Sequence, residues 1–327
     1  MVEFPDRRLR RLRSTDALRQ LVAEYRLSVN DLIAPLFVRE GAAGPVEIST
    51  MPGQFQHSED SLIAECHRLQ GLGIKAVLLF GLPLEKDAIG SEASSPQGVL
   101  QRALRRLRAT FGDSLLLIAD LCLDEYTDHG HCGLLNPDGS VDNDSTLVRY
   151  GEVAVAQANA GAHLVAPSGM MDGQVRAIRQ ALDGAGHEMT PILAYSAKYA
   201  SSLYGPFRDA VDVEIVGGGN RRAYQQDPAN FREALAEIDL DLAEGADLVM
   251  VKPALTYLDV IAAARARTTV PIVAYHVSGE YSMVKAAGEL GYLDVAAVAM
   301  EQTLAIKRAG ADLICTYFAA DLAEALQ

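Results

Sequence analysis

The sequence predicts an α/β protein, a closed (β/α)8 barrel of parallel strands preceded by an extended N-terminal arm. Three observations carry that prediction. Past residue 30, eight short apolar runs rich in β-branched residues alternate with longer amphipathic stretches, and such runs joined by helices belong in a parallel sheet covered on both faces. Several runs are entered by the same device, a helix ended by glycine, in LGIKAV, AGAHLV, EGADLV and AGADLI. The first run ends in FVREGAAG and lacks the G-x-G-x-x-G turn that usually opens a doubly wound nucleotide fold. Eight repeats without that turn point to a closed barrel.

The first 30 residues form the arm. Within it, seven arginines (Arg7, Arg8, Arg10, Arg11, Arg13, Arg19 and Arg26) face only four acids over residues 1–26, while the whole chain carries −14. A basic arm beside an acidic body complements a second copy of that body, and Leu9, Leu12, Leu18, Leu21 and Val22 supply an apolar stripe for docking. This reading as a subunit-embracing arm is preferred over a solvated tail or a nucleic-acid patch.

Residues 31–327 form the catalytic barrel. Its expected strands are Ile33–Val38, Ala76–Phe80, Leu115–Leu121, His163–Pro167, Pro191–Tyr195, Asp247–Lys252, Pro271–Tyr275 and Asp312–Tyr317. Helical patterns fall at Asp60–Gln70, Val99–Phe111, Leu147–Asn159, Asp172–Asp183, Phe231–Glu244 and Tyr281–Glu289. The active site of such a barrel lies at the C-terminal ends of its strands, so polar residues there are the catalytic candidates.

Composition narrows the function. The acidic surplus disfavours nucleic acid and anionic membranes as partners, and no stretch approaches the ~18–20 apolar residues that span a bilayer. Four scattered cysteines (Cys66, Cys122, Cys132 and Cys315) fit a reducing cytoplasm rather than a disulfide scaffold. A small-molecule enzyme is the default.

Lysine is scarce, and two of the six sit at strand exits. Lys252 ends DLVMVK and Lys198 follows PILAYSA, which makes them neighbours at the inner rim. Burial and a like charge nearby both disfavour an ammonium, and a neutral amine is a nucleophile for carbonyls. Two such lysines favour Schiff-base chemistry over rim snorkelling or a plain anion clamp. The third strand exits into DLCLDEYTDHGHCG, where Cys122, Asp124 and Cys132 in a C-x-D-x7-C spacing suggest a catalytic zinc with an open position. Against it stands a reading of Cys122 as a buried apolar thiol and Cys132 as a loop residue.

After the fifth strand, residues 199–230 make a long connection holding Tyr204, Phe207, Arg208, Arg221, Arg222 and Gln225. Arginines to grip carboxylate and the glycines at 217–219 to bend read as an active-site lid, with the glycines as hinge rather than phosphate loop. Ser278 and Tyr317, near the seventh and eighth strand ends, are candidates for a second acid group, Tyr317 equally being a core residue.

From PLFVREG and MPG through DLCLDEYTDHGHCG, APSGMMDG, YSAKYASSLYGPFRDA, YQQDPAN, EGADLVMVKPA and AYHVSGEYSM, the chain closely resembles the 5-aminolevulinate dehydratase (porphobilinogen synthase) family. The resemblance implies a cytoplasmic lyase of haem biosynthesis, a homo-octameric, allosteric (β/α)8 barrel that condenses two 5-aminolevulinate molecules into porphobilinogen. It implies Schiff bases on Lys252 for the propionate-side substrate and on Lys198 for the acetate-side one. Arg208, Arg221 and Gln225 match positions holding one carboxylate, Ser278 and Tyr317 those holding the other, and Asp120 and Ser168 match polar pocket positions. Glu237 matches a residue of a stimulatory magnesium site at a subunit interface. Two departures stand out: Asp124 occupies the middle position of the C-x-C-x7-C zinc pattern, and Asn220 replaces an aspartate before the lid arginine. A class I aldolase-like barrel, needing one essential lysine, is the rival enzyme, and a nucleic-acid-binding protein is the rival of another class.

Overall fold

The computed structural model describes residues 4–216 and 219–327. Gly217 and Gly218, part of the expected hinge, lie outside the described residues. Eight parallel strands form the barrel: β1 Leu32–Arg39, β2 Ala76–Leu82, β3 Leu116–Leu121, β4 Leu164–Pro167, β5 Leu193–Lys198, β6 Leu248–Lys252, β7 Ile272–His276 and β8 Leu313–Thr316. Each pairs in parallel with its sequence neighbours, and β1 pairs with β8. The ring closes between β4 and β5 through a single parallel bridge, Val165 to Ile192. The expected (β/α)8 architecture is therefore the observed one.

The glycine-ended helices are as the sequence predicts. Gly245 terminates helix Arg232–Glu244 in a left-handed conformation, which a glycine adopts without a Cβ penalty, and the chain enters β6 three residues later. Side-chain caps start other helices, as where Asp142 accepts the Ser145 N–H to open Asn143–Asn159. Fully buried side chains such as Val77, Leu79, Leu117, Val165 and Val249 fill the strands. At the N-terminal mouth the barrel ends in leucines 32, 116, 164, 193, 248 and 313 around an apolar cavity of about 270 Å³. The polar residues gather at the other end.

Two features were not expected. A short antiparallel pair, Val46–Glu47 with Phe55–His57, leans on β1. Strand β5 also runs three residues beyond the predicted Tyr195 and so takes in Lys198. The arm is largely exposed: neither Leu9–Arg13 nor helix Asp16–Leu21 buries a residue, and Phe4, Leu9, Leu12 and Leu21 stand in solvent. No helix among the described residues is long and apolar enough to cross a membrane.

Candidate active site

Lys198 and Lys252 are the last residues of adjacent strands and are direct register partners. A β-bulge brings this about. Between the pairs Ala194–Val249 and Ala197–Val251, β5 spends one more residue than β6. Side chains alternate faces along a regular strand, so Tyr195 and Lys198 would point oppositely; the extra residue returns Lys198 to the face of Tyr195. The Lys252 and Lys198 ammonium nitrogens lie 5.1 and 5.7 Å from the same Tyr195 ring centroid. Tyr275, Phe207 and Tyr204 rings also surround the Lys252 nitrogen, at 4.3, 5.0 and 5.3 Å.

This enclosure sets the chemistry of Lys252. Burial first, and the neighbouring Lys198 second, push its ammonium down to about 7. Lys198 donates to the Ser168 carbonyl, and the Ser168 hydroxyl donates to Asp120 Oδ2 at 3.1 Å. Burial pushes the Asp120 carboxyl up to about 6 against the pull of both lysines. Asp120 Oδ1 and the Tyr195 hydroxyl are buried without hydrogen-bond partners among the described residues. A fold leaves few buried polar atoms without a well-formed hydrogen bond, and these two approach each other beside the paired amines.

Cys122, Asp124 and Cys132 lie just beyond, all buried, with one ligand atom from each within 4.8 Å of the others. Two thiols and a carboxylate suit a divalent metal of the zinc type, whose tetrahedral ligands would sit about 3.8 Å apart, so closing on the ion needs only small shifts. Asp124 also forms an ion pair with Arg221, Oδ2 to Nη1 2.8 Å, the two side chains only 4% and 9% exposed. Burial alone would raise the Asp124 carboxyl, but Arg221 and then Lys198 hold it well below the usual carboxylate range. Arg221 further donates to the Gly130 carbonyl at 2.9 Å. At Gly130, φ is +73° and a Cβ would collide with the Glu214 carbonyl, so no other residue fits there without movement.

The loop is held from beneath as well. Tyr150, on helix Asn143–Asn159, donates to the Cys132 carbonyl at 2.6 Å. Its ring occupies the space that a side chain at Gly169 would need.

The expected lid is partly ordered secondary structure. It includes a short helix, Gly205–Ala210, which packs Phe207 against Phe37 and Phe80. Both ends of the lid are tied to the lysines' own backbone: the Lys198 carbonyl accepts the Gln226 N–H, and the Lys252 carbonyl accepts the Tyr199 N–H and the Tyr204 hydroxyl. Gln225 is buried, and its Nε2, like Arg221 Nε, is a donor without a partner among the described residues.

Other expected residues stand differently. Arg208 is exposed on the short helix and is not gathered into this buried cluster. Ser278 is buried nearby, but its hydroxyl is engaged, accepting the Phe207 N–H and donating to the Leu203 carbonyl. The Tyr317 hydroxyl meets that of Tyr275 at 3.0 Å. Glu237 is not among the residues around the lysine nitrogens; it lines a cavity of about 480 Å³ with Asp172, Glu233 and Gln225. Burial and the charges of Asp172, Glu233 and Glu244 push its carboxyl up to about 7.

Sequence reasoning missed Tyr195, Tyr224 and Glu125. The Tyr224 hydroxyl meets His131 Nδ1 at 3.2 Å and accepts the Cys132 N–H at 3.4 Å, a second tie between lid and loop. Glu125 is buried with Oε2 unpartnered, and burial followed by Asp124 and Asp120 keeps it protonated far above the ordinary range. Position beside Asp124 was the only signal for Glu125; Tyr195 gave none without the bulge.

The fold and the placement of these residues define a (β/α)8-barrel enzyme working at its C-terminal rim. A family model, delta-aminolevulinic acid dehydratase, matches residues 6–325. The delta-aminolevulinic acid dehydratase of Streptomyces coelicolor is 53% identical over 326 residues, covering 99% of this chain and 98% of that protein. Its Mycobacterium tuberculosis counterpart is 52% identical over 325 residues, with 99% and 98% covered. The crystal structure of the Toxoplasma gondii delta-aminolevulinic acid dehydratase (porphobilinogen synthase), in complex with the reaction product porphobilinogen, superposes with a TM-score of 0.95 at 46% identity. That match covers 97% of this chain and 91% of the other. The chain belongs to the delta-aminolevulinic acid dehydratase family.

Proposed function

We infer that this protein is a hydro-lyase that condenses two molecules of 5-aminolevulinate into porphobilinogen, and that it does so through imines on Lys252 and Lys198. The observation that carries the imine reading is the register pairing of the two lysines beside Tyr195, with Lys252 held near neutrality. An uncharged Lys252 amine adds to the ketone of the propionate-side substrate and expels water; Lys198 does the same for the acetate-side one. Each iminium draws electrons from its neighbouring carbon, so one carbon–carbon and one carbon–nitrogen bond form between the substrates. Both lysines are released, and the two ketone oxygens leave as two waters.

The other residues orient and transfer protons. Asp120, aligned by Ser168 and mostly ionised at neutral pH, is the group that takes and returns protons in this reading. The free donors of Arg221 and Gln225 hold one substrate carboxylate, joined by Arg208 if the short helix turns inward on binding; Ser278 and Tyr317 serve the other. Phe207 and Tyr204 exclude water. Cys122, Asp124 and Cys132 would hold zinc, which when bound would supply a Lewis acid beside the lysines.

Glu237 is the natural point for a regulatory magnesium, because the surplus of negative charge around it favours a dication. The arm, basic and apolar on an acidic body, embraces a second copy in a homo-oligomer, an octamer by family resemblance. Four free buried thiols suit the reducing cytoplasm.

The direct test is incubation with 5-aminolevulinate and assay for porphobilinogen, with borohydride trapping and mapping of the labelled lysine. Label at Lys252, and loss of product in Lys198→Ala, are expected. Full activity in Lys198→Ala would turn the reading toward a one-lysine aldolase-like enzyme.

A further inference from the structure

We propose that Asp124 is shared between two cations, a metal bound with Cys122 and Cys132 and the guanidinium of Arg221, so that filling the metal site fixes the lid's carboxylate-gripping segment. The inference rests on the reading of these three residues as a metal centre. It goes further by assigning Arg221 as a positioning residue for that centre.

Charge is the first reason. Two thiolates and a carboxylate around a dication leave one surplus negative charge in a dry pocket, and the adjoining guanidinium cancels it. Carboxylate and guanidinium already neutralise each other as an ion pair of 2.8 Å. A buried ion that loses its partner is heavily penalised, so the pair persists in both states. A carboxylate has two oxygens, and Oδ2 is the one on Arg221, which leaves the other for the metal.

Geometry is the second reason. The same lid segment is tied to the metal loop at two further points: Arg221 to the Gly130 carbonyl, and Tyr224 to His131 and the Cys132 N–H. Fixing Asp124 and Cys132 on an ion therefore fixes residues 221–224. The unpaired Arg221 Nε and Gln225 Nε2 are then preset for a substrate carboxylate. A cysteine at position 124 has no second acceptor and would break this coupling. On this view metal acts on substrate KM through the lid.

The test uses the full chain, metal-free and zinc-loaded. Zinc affinity is measured by chelator competition, and hydrogen exchange is followed across residues 219–226. In the wild type, zinc should slow lid exchange at least about tenfold and lower KM more than it raises kcat. Arg221→Gln should bind zinc about 10–100-fold more weakly, the usual effect of losing a ligand's outer partner, and its lid should no longer respond. Arg232→Gln, exposed at the start of the helix that follows the lid, should match the wild type. If Arg221→Gln folds poorly, Asp124→Cys decides: it should bind zinc but slow the lid clearly less than the wild type does, because only the Gly130 and Tyr224 ties remain. Unchanged zinc affinity in Arg221→Gln, or zinc slowing the lid in Asp124→Cys as much as in the wild type, overturns the proposal. A wild type that takes up no zinc instead removes the metal-centre reading beneath it.

Discussion

Lys252 and Lys198 end adjacent strands in direct register, and both nitrogens approach the ring of Tyr195. Holding two cationic side chains together in a buried place is unfavourable, and the fold relieves it by keeping Lys252 near the point of losing its proton.

That relief sets a pH dependence. Imine formation needs the neutral amine, whose fraction grows tenfold per pH unit below its pKa. The rate of borohydride trapping at Lys252 should therefore rise about tenfold per pH unit and level off above about 7. In Lys198→Met a like charge is gone, so the midpoint should move to higher pH. A midpoint near 10 in the wild type would contradict the buried pair.

Tyr195→Phe separates stability from chemistry. Its hydroxyl has no partner among the described residues, so losing it should leave stability unchanged or raise it by up to ~1 kcal/mol in denaturant unfolding. If that hydroxyl serves the substrate, kcat should fall at least ~10-fold. An unaltered kcat would make it a packing residue.

Gly169→Ala should destabilise. The added methyl meets the Tyr150 ring in a packed core, at a cost of about 1–3 kcal/mol, and displaces the hydroxyl that supports the Cys132 carbonyl. Denaturant unfolding and zinc affinity should both report it.

Magnesium stimulation, measured as rate against added magnesium at fixed zinc, should disappear in Glu237→Gln. The variant should also be more stable at pH 8 than the wild type, because the raised carboxyl is ionised there among like charges. Equal stimulation in both proteins would place the ion elsewhere.

Removing residues 1–26 should change the sedimentation profile while leaving far-ultraviolet dichroism in place, since the arm's two short helices bury nothing in their own chain. An unaltered profile counts against the embracing arm.

The barrel was legible in the sequence because its signals are local: a glycine ends a helix and an apolar run begins a strand. The pairing of the two lysines and the clustering of Cys122, Asp124 and Cys132 were legible for a related reason, since their residue types are out of place in apolar runs or crowded at one strand exit. What stayed hidden depends on three-dimensional register. The bulge that turns Lys198 toward Tyr195 leaves no mark in PILAYSAK, where the apolar run ends at Tyr195, three residues before the strand does. The Asp124–Arg221 pair joins positions 97 apart, beyond any spacing rule. Arg208 could be placed in the lid by resemblance, but its exposure here could not.

The flap over the pocket is hinged on the carbonyls of the very residues that bear the reactive amines. Displacing that segment would therefore have to break hydrogen bonds to the backbone of both lysines. If the two amines carry the chemistry proposed above, their aim and the position of the flap are set together, and a compound too small to hold the flap in place would meet less well oriented attackers.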